Sequence, residues 1–134
     1  MDREKFFDQD PQQIEDMIKT NMHHDVIFSK YATLNFLKHA DEHSHKTALI
    51  HTSSIASDLP MPFASVYSGT KIFNEVFGVL LSQAHKKSTH ARDLIVTQIL
   101  KPSITTTKLA HYKDGITSSK PLDVVAGSLA DLGL

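Results

Sequence analysis

Apolar residues recur at helical spacing in the first third of the chain, from Gln12 to about Ala40. Residues three and four apart share one face of a helix, so this spacing predicts a long amphipathic helix. Asp10 is a good N-cap and Pro11 suits a first helical turn, so the helix is predicted to begin there. The recurring positions are Ile14, Met17, Ile18, Met22, Ile27, Tyr31, Leu34 and Leu37.

The rest of the chain alternates between short apolar runs and helical patterns. Thr47–Ser53 and Asp93–Leu100 are short β-prone runs, typical of buried strands. A second long helix is predicted from Ser65 to about His85, and a short one from about Pro121 to Leu132. The inward face of the second helix is predicted to hold Ile72, Val76, Phe77, Leu80 and Leu81. Helices and strands in this order predict an α/β fold with a parallel sheet and right-handed crossovers.

The segments between these elements are polar or contain proline, and they are predicted as loops. They are Asp41–Lys46, Asp58–Pro62 and the Thr-rich stretch after Pro102. The first of them contains His43 and His45, and histidines at this spacing next to carboxylates can chelate zinc or nickel. A solvated loop after a helix is the favoured interpretation, so no metal site is predicted.

Composition and charge narrow the class of protein. The chain has 134 residues, which is one domain at most, and a net charge of −1 gives no electrostatic case for nucleic-acid binding. It has no cysteine, which excludes disulfides and thiolate metal sites. No apolar run approaches the ~20 residues of a membrane-spanning helix. The charged N-terminus is followed by no apolar signal core, so an intracellular protein without a transmembrane segment is expected.

Tyr67 and Lys71 are the residues whose spacing points to chemistry. They are four positions apart on the second predicted helix, which places them on one face about one turn apart. An ammonium group held there stabilises the ionised form of a nearby phenol, and such a phenol can give or take a proton beside a carbonyl or alcohol. The alternative is a partly buried aromatic residue beside a solvated lysine. The residues around the pair decide between these interpretations.

Those surroundings resemble the C-terminal half of a short-chain dehydrogenase/reductase, over nearly the whole chain. The matching features, in order, are Asn21 in the first helix, Thr52-Ser53-Ser54 at the end of a strand, Tyr67-Ser68-Gly69-Thr70-Lys71 on the next helix, and Pro102 after the following strand with Thr107 five residues later. Within the family, the segments Ser53–Asn74 and Leu100–Ala110 look most like the branch of 17-beta-hydroxysteroid dehydrogenase type 12 and very-long-chain 3-oxoacyl-CoA reductase. The fold that this implies is a truncated Rossmann-like one, half of a doubly wound parallel sheet flanked by helices.

The resemblance implies a catalytic role for each matching residue. Tyr67 would protonate the substrate carbonyl during reduction and act as the base in the reverse direction. Lys71 would assist Tyr67 and hydrogen-bond the nicotinamide ribose, so both residues would contact the cofactor, NADP or NAD. Ser54 would hold the substrate oxygen. Asn21 would bend its helix and anchor a water that relays protons to Lys71.

The loop after the second strand would touch the carboxamide of the nicotinamide, through Pro102, Thr105 and Thr107. The family often has Gly after this Pro, where this chain has Ser103, and the type 12 branch also lacks that Gly. His51 stands where many relatives have Asn, and it is predicted to be a packed residue at the strand end.

The cofactor half of the family's fold has no counterpart in this sequence. A dinucleotide site needs a glycine-rich turn between a strand and a helix, and the chain's five glycines form no such motif. Residues 1–134 are therefore expected to be the C-terminal part of a short-chain dehydrogenase/reductase domain. Two strands alone make a marginal sheet with open edges, so a homo-oligomer or a subunit of a larger complex is expected.

Three hypotheses for function stay open. The first is an oxidoreductase acting on a 3-oxoacyl thioester or steroid ketone, with its cofactor half supplied elsewhere, in which case the branch implies the endoplasmic reticulum. The second is a non-catalytic structural subunit of a larger assembly, and the third is a fragment without independent function.

Overall fold

The computed structural model describes residues 6–43, 46–59, 61, 63–91, 93–105 and 118–133, with the main chain alone at 40–43. In chain order, its helices and strands are α1 (Pro11–Ile18), α2 (His24–His43), β1 (Thr47–Thr52), α3 (Ser65–Lys87), β2 (Ile95–Leu100), β3 (Ile104–Thr105), β4 (Ser118–Ser119) and α4 (Pro121–Asp131). Short 3₁₀ turns lie at Phe6–Asp8 and Ile55–Ser57. This is the predicted α/β fold, with short parallel sheets flanked by helices.

The first long helix begins where the sequence predicts it. The Asp10 side chain accepts a hydrogen bond from the Gln12 amide at 3.0 Å, and Pro11 occupies the first turn. A π-helical turn at Lys19–His23 separates α1 from α2. Such turns are rare, and they are frequent at functional sites because they displace side chains from the regular helical register. Asn21, the position at which the resemblance implies a bend, lies at the centre of this turn.

The principal sheet pairs β1 with β2 in parallel, as predicted. The register runs from Thr47 opposite Ile95 to Thr52 opposite Leu100. The pairing continues past the strand ends, because the Ser53 amide donates to the Leu100 carbonyl at 2.8 Å. Parallel pairing places the carboxyl ends of both strands at the same edge of the sheet, and that edge leads into the candidate site.

The predicted inward face of α3 is confirmed at Phe77, whose ring packs edge to face against the buried His51 ring, and is wrong at three of its other positions. Ile72, Val76 and Leu80 are 42%, 52% and 58% exposed. The buried residues of α3 are instead Ser68, Thr70, Asn74, Gly78 and His85. Small and polar side chains let this helix approach the sheet closely, so the stripe with the strongest apolar periodicity faces outward.

The apolar core is thin, and the exposed apolar surface is extensive. Among the residues that the structure covers, the buried hydrophobic ones are Leu49, Ala56, Ala91 and Ile95. Large hydrophobic residues with at least two-fifths of their surface exposed occur along both long helices: Ile18, Ile27, Phe28, Tyr31, Leu34, Ile72, Val76, Val79 and Leu80. Exposed apolar residues in this number point to an interaction site.

The C-terminal helix docks on β2 through a polar contact. The Ser128 hydroxyl donates to Gln98 Oε1 at 2.7 Å, and Gln98 Nε2 donates back to the Ser128 carbonyl at 3.2 Å. The stretch after Pro102, predicted as a loop, contains the two-residue strand β3, which pairs in parallel with β4. β-branched residues such as Ile104 and Thr105 favour this extended backbone.

The helix α2 reaches His43, further than the sequence pattern indicates, and so takes up part of the predicted loop Asp41–Lys46. The side chain of His43 and the residue His45 lie outside the described part of the chain. The described residues contain no group of three or more His, Asp or Glu side chains able to hold a metal ion. None of the helices described here combines the length and apolarity that crossing a bilayer requires.

Candidate active site

Lys71 connects α3 to the carboxyl end of β1. Its Nζ donates to the Thr52 carbonyl at 2.9 Å, one residue before the strand ends. Burial lowers the pKa of Lys71, and the negative charge of Asp25 opposes that effect. Desolvation disfavours an ammonium ion, whereas a nearby carboxylate favours it. Lys71 is thus a partly buried cation at the sheet edge, which differs from the alternative of a solvated surface lysine.

Tyr67 lies beside this cation on the same helix. The Nζ of Lys71 is 5.7 Å from the centroid of the Tyr67 ring, within the range of a cation–π contact. The Tyr67 side chain is half-buried. Within the described part of the chain, no hydrogen bond reaches its hydroxyl group, so the phenol is available to a substrate oxygen.

Asn21 is connected to the Tyr67–Lys71 segment of α3 through Thr70. The Asn21 Nδ2 donates to the Thr70 hydroxyl at 3.0 Å, and that hydroxyl donates to the Tyr67 carbonyl at 2.7 Å. The π-helical turn therefore contacts the residue next to Lys71 and not Lys71 itself. The water relay that the resemblance implies for Asn21 stays a prediction.

Ser54 follows β1 and caps the 3₁₀ turn Ile55–Ser57. Its hydroxyl accepts a hydrogen bond from the Ala56 amide at 3.2 Å. That hydroxyl makes no hydrogen bond to the Tyr67 hydroxyl in the region the structure covers. Its role in holding a substrate oxygen stays a prediction.

Charged residues hold the Ser54 turn in place. The Ser57 hydroxyl lies 2.7 Å from a carboxylate oxygen of Glu75 on α3, to which it donates. The Nζ of Lys101 bonds Glu75 at 3.0 Å and Asp58 at 2.6 Å. These contacts join the turn after β1 to α3 and to the end of β2. The position of Ser54 is therefore determined by three elements and not by its own strand alone.

A cavity of about 210 Å³ opens beside Lys71. It is lined by Thr20, Asn21, His24, Asp25, Phe28, Ile50, Thr52, Lys71 and Asn74. It brings together Asn21 and Lys71, which are predicted site residues. The Oδ1 atom of Asn74 is buried without a hydrogen-bond partner among the described residues, and its Nδ2 donates to the Thr52 carbonyl at 3.4 Å. Buried polar atoms are normally paired, so this amide is a candidate to bind a water or ligand atom.

His51 is packed at the strand end, as predicted, but its partner is not evident from the sequence. The ring is fully buried, and its Nδ1 lies 3.0 Å and 3.1 Å from the two carboxylate oxygens of Asp25. Asp25 lies 26 positions earlier, on helix α2, whereas His51 is in strand β1, so no local sequence pattern connects the two residues. The resemblance implies Asn at this position in many family members, and the departure to His is the signal that could have found the pair.

The predicted cofactor contacts after β2 lie only partly within the described residues. The Pro102 carbonyl accepts from the Ile55 amide at 3.1 Å, and the Thr105 hydroxyl donates to the Ser103 carbonyl at 3.2 Å. Thr107 lies outside the described residues. Contacts from Pro102 and Thr105 to a nicotinamide stay predictions.

His85 is expected to make the stability of this fold depend on pH. Its ring nitrogens lie 3.2 Å from the Thr33 hydroxyl and 3.1 Å from the Thr97 hydroxyl. Burial, together with the nearby His51, lowers the pKa of His85 below 6.5. Because the unfolded chain binds this proton more readily, the free energy of unfolding should fall as the pH drops from 6.5 to the folded-state pKa.

Urea denaturation at several pH values gives the free energy of unfolding as a function of pH. This free energy should change less with pH in His85→Gln than in the parent, whereas His90→Gln, at an exposed site, should keep the pH dependence of the parent. An unaltered pH dependence in His85→Gln would contradict this assignment.

No protein-family model matches the sequence, and no curated protein matches it. Among solved structures, the fold is similar to the bulky-bulky ketone specific alcohol dehydrogenase from Comamonas testosteroni, with a TM-score of 0.71 and 18% sequence identity. The similarity covers 96% of this chain and 46% of that one, so this chain spans about half the length of the enzyme it matches. At this identity the likeness shows the fold alone, part of a Rossmann-like one, and does not bear on the 17-beta-hydroxysteroid dehydrogenase type 12 branch.

Proposed function

We propose that this chain carries the proton-transfer residues of an NAD(P)-dependent short-chain oxidoreductase that interconverts a ketone and an alcohol. The observation that carries the proposal is the arrangement of Lys71. Its ammonium group is anchored to the end of β1 at 2.9 Å and lies 5.7 Å from the Tyr67 ring. A cation fixed beside a phenol favours the ionised form of that phenol, which can then give or take a proton at a carbonyl or alcohol.

In reduction, Tyr67 donates its phenolic proton to the carbonyl oxygen as that oxygen gains negative charge. Lys71 stabilises the phenolate that remains, and Ser54 donates a hydrogen bond to the same substrate oxygen. In oxidation of the alcohol, the phenolate accepts the proton back. A 3-oxoacyl thioester or a steroid-like ketone is the substrate class that we assign, from the resemblance around Ser53–Asn74.

A nicotinamide cofactor, when bound, would supply or accept the hydride. The residues present fit only its nicotinamide end, where Lys71 and Tyr67 would contact the ribose. The pyrophosphate end needs glycines at a turn between a strand and a helix. The glycines that the structure covers lie within helices α3 and α4 or, at Gly133, just after α4. We therefore propose that this chain alone is incomplete as a catalyst, being the C-terminal part of a short-chain dehydrogenase/reductase domain.

The second candidate function is a non-catalytic structural subunit of a larger assembly. The exposed apolar residues of α2 and α3, together with the thin core, favour it. Both candidates require partners, either identical chains or other subunits, that cover these helices. They differ in whether the Tyr67–Lys71 pair is used.

The experiment that separates them compares the isolated chain with the chain in its native assembly. Isothermal calorimetry on the purified 134-residue chain should detect no micromolar binding of NADPH or NADH. The tagged chain, isolated with its native partners, should oxidise NADPH or NADH when given a 3-oxoacyl thioester or a steroid ketone.

Each outcome decides one part of the proposal. Micromolar binding by the isolated chain would refute its incompleteness. An assembly that forms but reduces neither class of ketone would favour the structural subunit. An active assembly whose rate is the same with Tyr67→Phe would show that another subunit performs the chemistry.

A further inference from the structure

Asp25 and His51 form a polar pair between α2 and β1. The His51 side chain is 0% exposed and the Asp25 side chain 18% exposed. The imidazole packs edge to face against the Phe77 ring, with the ring centroids 5.5 Å apart. Its Nε2 atom is buried and has no hydrogen-bond partner among the described residues. Among the described residues, the ring is therefore hydrogen-bonded through Nδ1 alone. This single attachment restricts the orientation of the Asp25 carboxylate.

The pair is next to the candidate site in two ways. Asp25 and Lys71 line the same cavity, from α2 and α3 respectively. His51 precedes Thr52 in β1, and Thr52 supplies the carbonyl that accepts from Lys71. The end of β1 thus holds both groups: the His51 side chain bonds the Asp25 carboxylate, and the Thr52 carbonyl bonds the Lys71 ammonium. No direct ion pair joins Asp25 to Lys71 in the part of the chain that is described, so the carboxylate acts across the cavity.

We propose that Asp25, held by His51, is a positioning residue for Lys71, whose ammonium group its carboxylate stabilises across the cavity at the end of β1. Its catalytic consequence rests on the function proposed above, because a charged Lys71 would stabilise the Tyr67 phenolate. The electrostatic link between Asp25 and Lys71 does not depend on that function.

The other titratable groups around Lys71 support this assignment. His24 faces the cavity from α2, and Tyr67 lies one turn earlier on α3. Glu75, one turn later on α3, is bonded to Ser57 and Lys101. Among the groups that line the cavity, Asp25 is the carboxylate, and its charge opposes the lowering of the Lys71 pKa by burial.

The test is the titration of Lys71 in Asp25→Asn, a substitution that removes the charge and nearly keeps the shape. The full chain, labelled with ¹³C at the lysine ε-carbon, is followed by NMR from neutral to alkaline pH. At a given pH below the Lys71 pKa, the fraction of uncharged Lys71 amine should rise about threefold, since the opposite charge across the cavity favours the ammonium form. Asp25→Glu should restore the titration of the parent, which a purely structural role would not predict.

The matched control is Asp58→Asn, because Asp58 bonds Lys101 at 2.6 Å. It should alter the titration of Lys101 and leave Lys71 unchanged. His51→Asn keeps the Asp25 carboxylate but removes the ring that holds it. It should raise the fraction of uncharged Lys71 amine, but by less than Asp25→Asn does. If the titration of Lys71 is the same in Asp25→Asn as in the parent, the proposal is overturned. If Asp25→Asn does not fold, an unchanged titration of Lys71 in His51→Asn overturns it. Since no cofactor or substrate is used, a failure of the proposed reductase activity would leave this result standing.

Discussion

Replacing Tyr67 with phenylalanine is expected to lower the rate of ketone reduction by the native assembly about 10²- to 10⁴-fold, the range that general acid catalysis contributes. The substitution deletes one hydroxyl group and leaves the ring that lies 5.7 Å from Lys71. No hydrogen bond to that hydroxyl exists among the described residues, so its removal breaks no internal contact. The turnover number, measured as oxidation of NADPH at saturating ketone, should therefore fall while the melting temperature is unchanged.

The chain offers a matched control for this experiment in Tyr31. Tyr31 lies on α2 with 69% of its surface exposed. Tyr31→Phe removes the same atom from a residue outside the candidate site and should keep the parent rate. Comparable activity in Tyr67→Phe and the parent assembly would rule out Tyr67 as the proton donor.

Replacing Gly78 with valine is expected to lower the free energy of unfolding by about 2 kcal/mol. A Cβ atom at this position would lie 3.1 Å from two atoms of the His51 ring and 3.1 Å from Ile99 Cγ1. The His51 ring is fully buried and bonded to Asp25, so it has little freedom to move away. Overpacking should therefore outweigh the few tenths of a kcal/mol that leaving Gly gains in a helix. Denaturant titration of the isolated chain, or thermal melting of its assembly, measures the difference.

Gly127 provides the comparison for Gly78, since both glycines lie within helices. Nothing lies within 4 Å of a Cβ atom built at Gly127. Gly127→Ala should raise stability by up to about 1 kcal/mol through helix propensity alone. If Gly78→Val were as stable as the parent, the close approach of α3 to His51 would have no energetic weight.

The candidate site was predictable where it depends on short stretches of sequence. Tyr67 and Lys71 must share a helical face because a helix repeats every 3.6 residues. The position of Ser54 directly after a strand follows from the apolar run that precedes it. Asp25 was not predictable in this way, because its partner His51 is brought to it by the packing of α2 on β1. The amide of Asn74 acquires its position beside Thr52 by the same kind of long-range packing.

The sequence by itself determined the order and type of the long helices and of the strands β1 and β2, because these follow from local periodicity, capping residues and proline positions. It also determined that Tyr67 and Lys71 lie side by side. The tertiary structure decided which face of α3 is buried, and it chose Ser68, Thr70, Asn74 and Gly78 over the apolar stripe at Ile72, Val76 and Leu80. Helical periodicity defines a stripe but not the surface that the stripe meets. Only the approach of α3 to β1 and β2 shows that small side chains are required on this side. The packing of α2 on β1 likewise places the Asp25–His51 pair next to the site.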